Sequence, residues 1–169
     1  MNLLSVPPDP EELRQFDFFV LRDSLRELQD KFSKSELASR FSDEQIELIY
    51  SIGHSFFMQG KFEQALNIFK LIILYRPIDA RNMEAYATTL KRMGRFDEAI
   101  PVYVAAMVFG ELSLPMPVIH IAECLAAIGR SAESERLLRP MLDMAKVDEA
   151  YAEVRGRAET LLDMLRKGQ

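Results

Sequence analysis

The sequence predicts an all-α chain of three stacked helix pairs with further helices at both ends, and three observations predict it. The first is a recurring turn: Met58-Gln59-Gly60-Lys61-Phe62, Arg92-Met93-Gly94-Arg95-Phe96 and Ala127-Ile128-Gly129-Arg130-Ser131. Gly60 and Gly94 lie 34 residues apart, and Gly129 follows after 35. The second is a set of small residues in register. Counting from Ile46, Ala80 and Pro115, the eighth position is Gly53, Ala87 and Ala122, and the twentieth is Ala65, Ala99 and Ser134. The third is the run of large apolar residues between them. These are Ile49, Ile52, Phe56 and Phe69, then Tyr86, Leu90 and Tyr103, then Ile121, Leu125 and Leu138.

Each element follows from local chemistry. The three glycines fall where one helix must stop, and the left-handed residue just past a helix end suits a side chain without Cβ. The small pairs let the two helices of a hairpin approach closely. A repeat of 34 residues with this pattern is that of the tetratricopeptide repeat, so the repeats read 46–79, 80–113 and 115–148. Pro77 closes the first repeat, since proline cannot continue a helix. Pro101 lies near the first turn of its helix, where its missing N–H costs less. Pro140 falls inside the third repeat's second helix and is expected to kink or shorten it.

The N-terminal helices span 9–41. Asp9-Pro10-Glu11-Glu12 reads as a helix start, with Asp as N-cap, Pro at the first position and Glu at the third. Phe18, Leu21, Leu25, Leu28 and Phe32 recur at alternating spacings of three and four, a narrow apolar seam. Phe18, Leu21, Leu25 and Leu28 are the dimerisation candidates. Ser33 with Glu36 opens a short helix, and Ser42 with Gln45 forms another capping box, flanked by a staple of Phe41 on Ile46. A final helix over 149–167, capped by Asp148 and striped with Val154, Ala158, Leu161 and Leu165, covers the end of the array.

Composition narrows the function. The net charge of −5, with no basic block, argues against binding a phosphate backbone and slightly favours a neutral or basic ligand. The single cysteine, Cys124, rules out an internal disulfide and fits a reducing compartment. No secretory signal pattern opens the chain, and the most apolar stretch, 68–75, is far short of the ~20 residues that cross a bilayer. A cytoplasmic protein that does not insert in a membrane is the expectation.

Stacked helix pairs coil so that their first helices line a groove. Positions 2, 5, 6, 9, 12 and 13 of each first helix face it. In the first repeat these are Glu47, Tyr50, Ser51, His54, Phe57 and Met58. The second gives Arg81, Glu84, Ala85, Thr88, Lys91 and Arg92, and the third Met116, Ile119, His120, Glu123, Ala126 and Ala127. Apolar residues in an otherwise charged wall suit an extended apolar peptide, and Met repacks readily around different ligands. Packing on neighbouring repeats is the alternative for some of them. His120, Glu123 and Cys124 lie within about one turn of helix, which raises a metal site or a thiol nucleophile. Cys124 falls at a core-leaning position, no second cluster supplies further ligands, and no Gly-rich phosphate loop is present. No catalytic residue, metal or cofactor is therefore assigned.

Leu48-Ile49-Tyr50-Ser51-Ile52-Gly53, the Gly60-Lys61-Phe62 turn, and Pro117 followed by His120-Ile121-Ala122-Glu123-Cys124-Leu125 resemble the class II chaperones of bacterial type III secretion systems. The resemblance spans roughly residues 10–167. It implies a cytoplasmic, acidic chaperone that works without ATP and is often homodimeric through its N-terminal helices. Such a chaperone holds hydrophobic translocator proteins before export by gripping a short extended segment. It further implies groove roles for Tyr50, Phe57, Phe62, His120 and Glu123. The expected peptide site is then Tyr50, His54, Phe57, Met58, Phe62, Ala85, Thr88, Lys91, Ile119, His120 and Glu123, and the expected partners are exported hydrophobic translocators and a second copy of the chain. The alternative is a tetratricopeptide scaffold that joins folded proteins.

Overall fold

The structure is a computed structural model that describes Glu27, Lys31 and residues 40–110, 116–145 and 152–167. The chain divides into two units, Met1–Ser39 and Arg40–Gln169. In the first, Glu27 and Lys31 form an exposed ion pair of 2.7 Å one helical turn apart. The dimerisation candidates Phe18, Leu21, Leu25 and Leu28, the helix starts at Asp9 and Ser33, and the Asp148 cap lie outside the described residues.

The described residues of the second unit form helices alone: α1 (Asp43–Met58), α2 (Phe62–Tyr75), α3 (Ala80–Arg92), α4 (Phe96–Phe109), α5 (Met116–Ala127), α6 (Ser131–Met144) and α7 (Ala152–Lys167). The first six pair as hairpins, α1 with α2, α3 with α4 and α5 with α6.

Local chemistry sets the helix ends. Ser42 Oγ accepts from Gln45 N (3.3 Å) while Gln45 Oε1 accepts from Ser42 N (2.9 Å), so two donors at the start of α1 are satisfied reciprocally. Phe41 packs beside Ile46 and meets Tyr75 edge-on at 4.7 Å. Arg76, just past the end of α2, donates to the Phe41 carbonyl and to Asp43, which ties the exit of the first hairpin to its entrance. Gly60, Gly94 and Gly129 adopt φ of 72°, 74° and 79°. At each, the next residue's N–H reaches back five positions to a carbonyl, Lys61 to Phe56, Arg95 to Leu90 and Arg130 to Leu125, at 2.8–3.0 Å. That closure needs the left-handed residue between.

The small pairs meet across the hairpins. Ala65, Ala87, Ala99, Ala122 and Ser134 are fully buried, and Ser134 Oγ donates 2.8 Å to the Ala122 carbonyl. Three buried clusters follow one another along the stack. Ile46, Ala65, Phe69 and Ile72 fill the first hairpin. Leu66 then joins Leu90, Tyr103, Cys124 and Leu125, while Ile119, Leu138 and Met141 meet Val154, Ala158 and Leu162 of α7.

Three sequence expectations change. Ile52 is 44% exposed rather than in the core, although Ile121 at the same position of the third repeat is buried with Leu90 and Tyr103. Pro140 does not shorten α6, which runs to Met144 with the same 14 residues as α2 and α4. Its ring is exposed, and only one rung of the ladder is lost. Pro101 is the sixth residue of α4, beyond the first turn, and α4 likewise continues past it.

Candidate peptide-binding groove

The first helices of the hairpins place two clusters along one wall. Between α1 and α3 lies a cavity of about 230 Å³, lined by Tyr50, His54, Phe57 and Phe69 on one side and Arg81, Glu84, Ala85 and Thr88 on the other. Its aromatic floor is held in place: the Tyr50 ring packs 5.5 Å from Phe69 and 6.4 Å from His54. The Arg81 guanidinium sits 4.2 Å over the Tyr50 ring and is ion-paired with Glu47. Cation and ring attract through the ring's electrostatic face, which fixes the cavity's rim.

The second cluster joins three helices. Lys91 of α3 is paired with Glu123 of α5, whose other oxygen accepts from Arg157 of α7 at 2.6 Å. Lys91 Nζ also lies 2.8 Å from His120 Nδ1. The same Nδ1 lies 3.2 Å from Glu123 Oε2, so one ring nitrogen stands between the ammonium and the carboxylate. Burial works against ionising Glu123, but His120, Lys91 and Arg157 around it outweigh that and hold it well below the usual carboxylate range. The His120 ring lies 5.2 Å from that of the buried Tyr103, whose hydroxyl is 2.9 Å from Thr88 Oγ1. Tyr103 thus links the two clusters.

Of the expected site residues, Tyr50, His54, Phe57, Ala85 and Thr88 share the cavity, and Lys91, His120 and Glu123 share the ionic cluster. Phe62 packs 5.6 Å from Phe57 under the Arg92 guanidinium. Met58 is 70% exposed and outside the cavity lining. Ile119 must be corrected: it is wholly buried against Leu138, Met141 and α7, because α7 covers the face that position 5 presents in the earlier repeats. Phe69, read as packing alone, also lines the cavity, and Arg157 was not anticipated. Its signal was present in the numbering, since Arg157 follows Glu123 by 34 residues as Arg81 follows Glu47.

Cys124 is fully buried and burial pushes its thiol up to about 11, so it is a small core residue and not a nucleophile. Among the described residues no group of three His, Cys, Asp or Glu stands close enough to hold a metal, and no helix is long and apolar enough to cross a membrane.

Helix hairpins repeating at 34 residues with a pocketed inner wall define a tetratricopeptide-repeat protein, and residues 46–77 match the tetratricopeptide repeat family. Over 130 residues, 77% of each chain, the sequence is 24% identical to low calcium response locus protein H of Yersinia pestis. The fold is similar to the type III secretion translocator chaperone SycD of Yersinia enterocolitica, with a TM-score of 0.68 and 25% identity over 76% of this chain and 97% of that one. It matches SycD in complex with a peptide of the translocator YopD equally well, at a TM-score of 0.67 and 25% identity over 76% and 98%. In sequence and fold the chain is thus similar to tetratricopeptide-repeat translocator chaperones of type III secretion.

Proposed function

We propose that this chain is a cytoplasmic, non-catalytic chaperone that holds an extended apolar segment of a hydrophobic translocator before export. The observation that carries this reading is the aromatic cavity between α1 and α3, in a fold that in SycD is seen with a translocator peptide. A translocator must enter a membrane after export, so in cytosol its apolar segments aggregate. Burying one medium-sized apolar side chain in such a cavity is worth about 1.5–3 kcal/mol. Several along an extended segment suppress aggregation without nucleotide. Self-association belongs to the same reading: SycD has been crystallised as a dimer, and the seam of Phe18, Leu21, Leu25 and Leu28 is the segment assigned to it here.

The test is co-expression with exported hydrophobic proteins encoded nearby, followed by affinity capture and size-exclusion chromatography with light scattering. A soluble complex with a client that is insoluble alone is the expected result, and Phe57→Ala should weaken it while leaving helicity near that of the parent. Clients that stay insoluble while only folded proteins are captured would instead establish the scaffold reading.

A further inference from the structure

We infer that the bound segment carries an acidic side chain about three residues from its apolar anchor, and that Lys91 and Arg157 receive it. This rests on the proposed peptide-holding role and deepens it. The chain as a whole is acidic, at −5, and this would steer acidic ligands away. The local balance along the wall is different. Around the aromatic cavity Arg81 stands against two carboxylates, Glu47 and Glu84. In the second cluster two cations, Lys91 and Arg157, share one carboxylate, Glu123. The wall is thus negative at one station and positive at the next.

The positive station is built to hold a carboxylate. Lys91 is only 17% exposed and Glu123 29%, so their interactions are little screened by solvent. Arg157 is 46% exposed and gives one N–H to Glu123. A guanidinium has five, in a planar fork that suits a second carboxylate. Glu123 occupies the place an acidic ligand group would share, and so acts as an internal competitor. The stations adjoin through Thr88, Tyr103 and His120, the last two rings being 5.2 Å apart. That puts them on the order of 10 Å apart, which an extended chain covers in about three residues at ~3.3 Å each. An acidic residue near the apolar anchor also sets the direction in which the segment lies.

Fluorescein-labelled extended peptides of one apolar sequence, with a leucine anchor, test this on the full chain by anisotropy. Glu, Gln or Lys is placed in turn two to six residues to either side of the anchor. At the best spacing the Glu peptide should bind at least fivefold tighter than its Gln counterpart, and the Lys peptide more weakly than both. The Glu preference should fall to within twofold in Lys91→Met or in the half-exposed Arg157→Gln, the second guarding against a folding defect in the first. Glu123→Gln, which removes the competitor, should strengthen Glu binding. Equal affinity of Glu and Gln peptides at every spacing, with the neutral peptide still bound and still sensitive to Phe57→Ala, overturns the acidic preference alone. Failure of every peptide to bind overturns the groove reading with it.

Discussion

Two glycines inside helices should respond to the same substitution with opposite sign. Gly53 is buried in α1 where the hairpin is tightest: a Cβ there would lie 2.8 Å from Ile68 Cγ2 and 3.0 Å from the Phe69 ring. Carbon atoms in good contact sit about 3.5–4.0 Å apart, so the two helices or their side chains must give by roughly 1 Å. Ile68 cannot swing clear, because its branch at Cβ leaves one strongly preferred rotamer in a helix. Phe69 is 1% exposed and has nowhere to go. Alanine gains about 0.8–1 kcal/mol in helix propensity over glycine, against an overpacking cost of about 1–3 kcal/mol. Gly53→Ala should therefore destabilise by about 1–2 kcal/mol, or lower Tm by about 2–8 °C. Gly156 is exposed in α7 and a Cβ there meets nothing within 4 Å, so only the propensity acts. Gly156→Ala should stabilise by up to about 1 kcal/mol. Urea unfolding followed by circular dichroism measures both. Ile68→Ala should cost less in the Gly53→Ala background than alone, with a coupling of at least about 0.5 kcal/mol. A stabilised Gly53→Ala, or strictly additive changes, would refute the close approach of α1 and α2.

Other substitutions probe different terms. Gly94→Ala should destabilise by about 1–2 kcal/mol although a Cβ meets nothing within 4 Å, since the cost is backbone strain at φ 74°; Gly94→Asn should cost less in the same urea titration. Asn82 is wholly buried with Nδ2 and Oδ1 both lacking a hydrogen-bond partner, so Asn82→Leu should stabilise by about 1–3 kcal/mol, and a loss would mean the amide is engaged. The Cys124 thiol, ordinarily near 9 and here about 11, stays protonated in the folded chain while the unfolded chain ionises. Its contribution is therefore intact below pH 9 and lost as pH rises towards 11, by about 1.4 kcal/mol per unit. Cys124→Ala should lose less stability than the parent over that window. Ellman's reagent should be slow on the native chain at pH 8 and immediate in urea, and fast native labelling would place the thiol at the surface.

Much of the hairpin architecture is legible in the chain because its causes are local. The closing bonds at Gly60, Gly94 and Gly129 span five residues, and the Ser42–Gln45 box spans three. The small residues pair within single hairpins, Gly53 with Ala65 in the first and Ala87 with Ala99 in the second. The sequence by itself therefore determined the repeat, the turns and the identity of the inner wall's helices. Which wall residues meet a ligand was decided elsewhere. Tyr50, Glu84 and Ile119 share one register position, yet Tyr50 and Glu84 line a cavity and Ile119 is sealed beneath α7. Exposure depends on what the next helix covers, and periodicity carries no record of that. The Lys91–His120–Glu123–Arg157 cluster draws on α3, α5 and α7, with Arg157 from beyond the third repeat. Charges so far apart in the chain meet only when the stack closes, which sets one partly buried carboxylate between two cations.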